Sequence, residues 1–160
     1  MKAKQLQVQQ CNCVITSPLG KLGLTIVGGK LTKIQFLSSD AQLLATQDPL
    51  ALRTIAKIKK YFYNPKLQFK LPIQAKGTPL QKKIWRALLR IPCGKTVTYG
   101  ELARQIGTNP RVIGNACRRN PIPIVIPCHR VIAKTGLGGY CGKTCNKFLK
   151  IKNWMLQHEY

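Results

Sequence analysis

The chain has 160 residues and a formal charge of +23, from 27 lysines and arginines against 4 acidic residues. Hydrophobic residues make up 44% of it, which excludes a disordered basic tail, and no apolar run approaches the roughly 18 residues of a membrane span. The opening MKAKQLQVQQCNC lacks the apolar stretch of a secretory signal, and the seven cysteines are an odd count in an apolar-rich chain, so the expectation is a cytoplasmic protein with reduced thiols.

Residues 11 to 37 alternate in polarity and are punctuated by Ser17-Pro18-Leu19-Gly20 and Gly28-Gly29, which predicts a three-stranded antiparallel meander. Residues 50 to 63 place Leu52, Ile55, Ala56, Ile58 and Phe62 near helical spacing; this helix should lie on the sheet and stop before Asn64-Pro65. Residues 64 to 77 hold two prolines and read as a strand-bearing connector ending at a domain boundary. Thr78-Pro79-Leu80-Gln81 is a capping box that opens a helix running towards Arg90, with Ile91-Pro92-Cys93-Gly94 after it. Thr98-Tyr99-Gly100-Glu101 is a second capping box, and its helix runs to a stop at Gly107. Thr108 or Asn109 caps a further helix that Pro110 begins, so the pair reads as a helix-turn-helix. A last helix over roughly 144 to 158 lines up Phe148, Ile151, Met155 and His158.

The charge favours a polyanion such as nucleic acid, through phosphate neutralisation and counterion release, although basicity alone suits a ribosomal or membrane-surface protein almost as well. GLGGYCGKT at 136 to 144 imitates a phosphate-binding loop, but Leu137 stands where that motif requires glycine, so no nucleotide is expected. The two histidines, His129 and His158, and the isolated Cys11-Asn12-Cys13 leave no set at zinc-finger spacing, so no metal is expected either.

The most informative stretch is NPIPIVIPCHRVI, residues 120 to 132. Ile122 to Ile126 is apolar and β-branched and reads as a buried strand, ended by Pro127 just before Cys128-His129-Arg130. Cationic neighbours lower a thiol pKa, and an unperturbed thiol near about 8.5 is mostly protonated at neutral pH, so imidazole and guanidinium beside Cys128 suit a nucleophile. Of the four acids, Glu101 is engaged in capping, while Glu159 at the end of the terminal helix is placed to orient His129 in a Cys-His-Glu relay.

IPCHRVI, preceded by RNPIPIV and followed by the GGY and WMLQHE segments, resembles the O6-alkylguanine-DNA alkyltransferases (methylated-DNA–protein-cysteine methyltransferases). The likeness runs from about Thr78 to Glu159, and the first half is similar more loosely, through SPLGKL and the meander-then-helix order. It implies an α/β (α+β) fold with an RNase H-like amino-terminal domain and connector over 1–77. A mainly helical DNA-binding and alkyl-acceptor domain over 78–160 would carry the helix-turn-helix and a short active-site strand.

It also implies direct DNA repair: irreversible transfer of the alkyl group of O6-alkylguanine, with O4-alkylthymine as a further substrate, to Cys128, without a cofactor. The partner would be double-stranded alkylated DNA, held through its minor groove by a monomer. His129 would act as base through a water, with Glu159 orienting it, and Tyr99 would bind the flipped base and protonate the departing guanine. Asn120 would join the recognition helix to the active-site strand, and Arg111 would be the finger that fills the space the nucleotide leaves. Gly114 and Ala116 would allow close approach to the groove, while Arg118, Val131, Tyr140 and Cys141 would contact the DNA or the base. Cys141-Gly142-Lys143-Thr144 replaces the family's usual lid sequence and brings a second thiol near the site. Arg119 stands where glycine is frequent, and the first half has no histidine for the zinc that some members bind. Two other readings stay open on the residues: a helix-turn-helix protein that binds lesions without chemistry, and a cysteine hydrolase, which would want an oxyanion loop.

Overall fold

The computed structural model describes residues 11–142 and 145–160. The chain divides into two compact units, Met1–Lys76 and Gly77–Tyr160.

In the first unit, β1 (Cys13–Ser17), β2 (Gly20–Val27) and β3 (Lys30–Phe36) form a three-stranded antiparallel sheet in that order. Gly28 and Gly29 join β2 to β3 with φ of 56° and 68°, the left-handed pair that a tight hairpin turn demands. Helix α1 (Pro49–Tyr63) starts at Asp48, whose carboxylate accepts the Ala51 N–H at 2.8 Å, and ends at Asn64, ahead of Pro65. Its buried face is Ala51, Thr54, Ile58 and Tyr61, whereas Leu52 is 48% exposed and Ala56 faces solvent. The expected face was therefore turned by part of a revolution. The sheet takes Thr54 because its hydroxyl is satisfied within the helix, donating to the Leu50 carbonyl at 2.7 Å. The segment after α1 is no strand: it makes one bridge, with Leu31 N–H donating to Pro72 O and Gln74 N–H to Leu31 O, both at 2.9 Å. Pro65 and Pro72 have no N–H with which to extend a ladder.

The second unit is mainly helical. Helix α2 (Pro79–Leu88) opens with the expected box, Thr78 Oγ1 accepting the Gln81 N–H at 3.2 Å and Gln81 Oε1 accepting the Thr78 N–H at 2.9 Å. A parallel pair of two-residue strands, β4 (Val97–Thr98) and β5 (Val131–Ile132), ties the chain before the helix-turn-helix to the chain after Arg130. Helix α3 (Tyr99–Ile106) carries the second box, and Gly107 at φ 79° ends it in the left-handed cap that glycine permits. Asn109, not Thr108, caps helix α4 (Pro110–Arg118), accepting the Val112 N–H at 3.1 Å. The buried Trp85 indole N–H of α2 donates to Ala116 O on α4 at 2.9 Å and so fixes α4 against α2. Helix α5 (Asn146–Glu159) closes the unit, and the expected start at Thr144 lies outside the described residues.

The expected strand over Ile122–Ile126 is not a strand. Those residues make buried turns, with the Ile126 N–H on Ile122 O at 2.9 Å and Ile124 at φ 73°. Pro121, Pro123 and Pro127 cannot donate to a neighbouring strand, so burial of the apolar run is met by a coiled-up loop. Cys128–Arg130 is then a single 3₁₀ turn, and the short strand follows the cysteine instead of preceding it. Among the described residues no helix is long and apolar enough to cross a membrane.

Replacing Trp85 by Phe removes the bond that joins α2 to α4 and leaves a small void. We expect a loss of about 1–2 kcal/mol, read as a lower urea midpoint with unchanged slope; an unmoved midpoint would contradict this role.

Candidate active site

The loop before Cys128 is wound around one amide. Asn120, buried at the end of α4, accepts the Ile122 N–H through Oδ1 at 3.0 Å. Its Nδ2 donates to Ile126 O at 2.8 Å and to the Cys128 sulfur at 3.1 Å. Cys128 is 3% exposed, and its sulfur is held by this amide at a fixed point. The thiol pKa is brought down below its ordinary value first by a hydrogen bond from the Cys141 thiol, then, against the opposing effect of burial, by the Asn120 amide and the positive charge of Lys152.

The two cations expected to assist the thiol are turned elsewhere. His129 is fully buried, and its Nε2 lies 2.7 Å from Glu159 Oε1. Arg130 grips the same carboxylate with two nitrogens, Nε to Oε2 at 2.8 Å and Nη2 to Oε1 at 3.0 Å, while Nη1 donates to Ile91 O. Burial lowers the His129 pKa, outweighing the hydrogen bond and charge of Glu159 that would raise it. The imidazole is therefore neutral, with its proton on Nε2 donated to the carboxylate and its lone pair on Nδ1. That Nδ1 is buried without a hydrogen-bond partner among the described residues. Burial would raise the Glu159 carboxyl, but the hydrogen bonds and charges of His129 and Arg130 prevail and bring it down to about 2.

The end of α5 is seated by the turn at residues 91–94. Gly94 is at φ 74°, and a Cβ there would stand 2.9 Å from the Glu159 carbonyl oxygen, so this approach requires glycine. The Cys93 thiol donates to the same carbonyl at 3.8 Å.

Cys128 opens onto a cavity of about 240 Å³ lined by Tyr99, Gly114, Cys117, Arg118, Tyr140 and Cys141, with glycines of the 139–142 loop. Six of the residues singled out in the sequence, Cys128 included, thus meet at one cavity. Tyr99 is half-buried there, and burial together with the Cys117 and Cys128 thiols pushes its phenol up to about 12, so it keeps its proton. Tyr140 is 2% exposed, and its hydroxyl donates to Met155 Sδ at 3.6 Å. Val131 is buried outside the lining, and its carbonyl accepts from Lys152 at 2.7 Å. Arg111 also lies outside the lining, exposed at the start of α4. Lys143 and Thr144, the end of the phosphate-loop imitation, lie outside the described residues.

Lys152 is a functional residue that the sequence reading passed over. It is completely buried, donates to the carbonyls of Val131, Leu137 and Gly139, and lies 5.9 Å from the centre of the Tyr99 ring. Burial lowers its ammonium to about 8, with the surrounding thiols opposing. The signal was its place in the helical stripe Phe148, Lys152, Met155, Glu159, where a charge reads as an interruption of the apolar face. Among the described residues no group of three or more histidine, cysteine or acidic side chains is arranged to hold a metal ion.

Residues 79–160 match the family model described as 6-O-methylguanine DNA methyltransferase, DNA binding domain. A methylated-DNA–protein-cysteine methyltransferase of Saccharolobus islandicus is 39% identical over 103 residues, 64% of this chain and 65% of that one, so the match spans a little under two thirds of that relative. One of Mycobacterium bovis is 39% identical over 135 residues, 80% of this chain and 82% of that one. In structure, the chain is similar to Mycobacterium tuberculosis OGT crystallised in complex with DNA, with a TM-score of 0.77 and 36% identity, covering 91% of this chain and 90% of that one. The matched stretch contains the whole cavity and the Cys128–Glu159 network, and the chain belongs to the methylated-DNA–protein-cysteine methyltransferase family.

Proposed function

We propose that this protein repairs DNA by taking the alkyl group of O6-alkylguanine onto its own Cys128, with O4-alkylthymine as a second substrate. The observation that carries this is the Cys128 sulfur, lowered in pKa, hydrogen-bonded by Asn120 and facing a cavity of about 240 Å³. That volume is below the roughly 300–1,000 Å³ of drug-sized pockets and suits a nucleobase with a small substituent.

The thiolate attacks the alkyl carbon opposite its bond to O6. An S–C bond forms, the C–O6 bond breaks and its electron pair stays with the guanine. The Tyr99 phenol, still protonated at neutral pH, binds the base and supplies the proton that the departing guanine needs. A thiol proton leaves through water to the lone pair on His129 Nδ1, while Glu159 holds the ring and stabilises the imidazolium that results. Nothing cleaves the thioether to restore the thiol, so each molecule acts once. A binding-only protein has no use for a buried carboxylate, imidazole and guanidinium assembled behind an exposed-cavity thiol.

A target atom inside a base pair cannot reach Cys128, so the nucleotide must be extruded, at a cost of a few kcal/mol. Arg111, Gly114 and Arg118 fall at i, i+3 and i+7 and share one face of α4. At Gly114 nothing lies within 4 Å of where a Cβ would stand, which lets that face enter a narrow minor groove, whereas Ala116, expected beside it, is buried against Trp85 and takes no part. Arg111, exposed at the leading end of the face, is the group that fills the vacated space. In this reading the unit from Gly77 to Tyr160 is the DNA-binding and acceptor domain, the unit before it is the RNase H-like domain, and a monomer suffices.

Incubation with duplex DNA containing O6-methylguanine should raise the intact mass by one methyl group, located on the peptide containing Cys128. Cys128→Ala should abolish the gain while DNA binding persists; an unchanged wild-type mass would remove the proposal. Arg111→Ala should slow repair of duplex DNA by roughly tenfold or more, the equivalent of about 1.4 kcal/mol, with a much smaller loss on free O6-methylguanine. Equal losses on both substrates would contradict the finger role.

A further inference from the structure

Two thiols meet in the cavity. Cys128 and Cys141 both line it, and the Cys141 thiol hydrogen-bonds the Cys128 sulfur. Cys141 stands at φ 50°, in the left-handed region, so the loop fixes its position against the residue's own preference. Cys141 is half-buried and reachable from solvent. Cys117 lines the same cavity, but burial pushes its thiol far up and keeps it protonated. Among the described residues, which include all seven cysteines, no disulfide is formed. A thiolate-prone cysteine in a cavity open to small molecules, touching a second thiol, is the arrangement of a redox-sensitive pair.

We propose that Cys128 and Cys141 are a site of reversible oxidation, closing a disulfide that masks the Cys128 sulfur when a hydroperoxide enters the cavity. The Cys128 thiolate attacks one peroxide oxygen, the O–O bond breaks, and a sulfenic acid forms while the other oxygen leaves and takes up a proton. Cys141 then attacks the Cys128 sulfur; an S–S bond forms, the S–O bond breaks, and the thiol proton leaves with the hydroxyl as water. With hydrogen peroxide as oxidant, two thiols give up two electrons and two protons, and two waters are produced. A dithiol reductant returns both thiols. Without Cys141 the sulfenic acid has no neighbour to capture it and proceeds to sulfinic and sulfonic acids, which are irreversible.

The full chain is treated with dilute hydrogen peroxide and mapped by mass spectrometry without reduction. The expected result is an intact mass lower by two hydrogens, a linked pair of peptides containing Cys128 and Cys141, and full reversal by dithiothreitol. Cys141→Ser should lose the link and instead gain two or three oxygens on Cys128, unaffected by dithiothreitol. Wild-type protein that accumulates sulfinic Cys128 with no link to Cys141, or that links Cys128 to Cys117, would overturn the proposal. The readout involves no methyl transfer, so a protein that forms the link on oxidation, yet in its reduced form accepts no methyl group, refutes the repair reading and leaves this one standing.

Discussion

The buried carboxylate of Glu159 is the constraint on which the rest depends. An ionised carboxylate taken out of water costs several kcal/mol unless its oxygens are met by charged or strongly polar donors. Here His129 meets one oxygen and Arg130 meets both, so two adjacent residues and a third that lies 29 positions beyond Arg130 are locked in one arrangement. The consequence is geometrical. Because His129 and Arg130 follow Cys128 directly, clamping them to the end of α5 fixes the single turn that carries the sulfur. The close seat of the Glu159 carbonyl on Gly94 and the bond from Arg130 to Ile91 tie that turn to the chain behind α2.

The thiol is made more acidic from a different side. Its neighbours there are the Asn120 amide, the Cys141 thiol and, further off, the ammonium of Lys152. This separates two tasks that a simple cysteine–histidine ion pair would merge. Neutral donors and one distant cation favour the thiolate, while His129 stays neutral and free to take a proton at Nδ1. Lys152 also braces the wall of the cavity, since its three carbonyl partners lie on β5 and on the loop leading to Tyr140.

Much of this was legible in the sequence, because it depends on local chemistry. The two capping boxes, Pro110 and Gly107 declare the helices of the second unit through side chains that satisfy their own backbone. With so few acids in the chain, Glu159 was readily singled out as the partner of His129, and the two are paired. What escaped depends on three-dimensional packing. Ile122–Ile126 has the composition of a strand, but its prolines and the Asn120 amide coil it into a loop. Arg130 reads as a cation beside the thiol, yet the stronger attraction of a buried carboxylate turns it away. Lys152 could be buried only because three carbonyls converge on it, and nothing in the order of residues announces such a convergence.

The central claim is that the Glu159 clamp organises the reaction and is not a mere structural pin. Single-turnover rates of methyl transfer should be measured from pH 6 to 9 (roughly the range over which a perturbed thiol ionises) for the wild type and for Glu159→Gln, with folding and DNA binding checked in parallel. The account predicts a variant that folds and binds DNA but transfers the methyl group roughly a hundredfold more slowly, the scale of a lost general base. A folded variant that matches the wild-type rate across that range would contradict it.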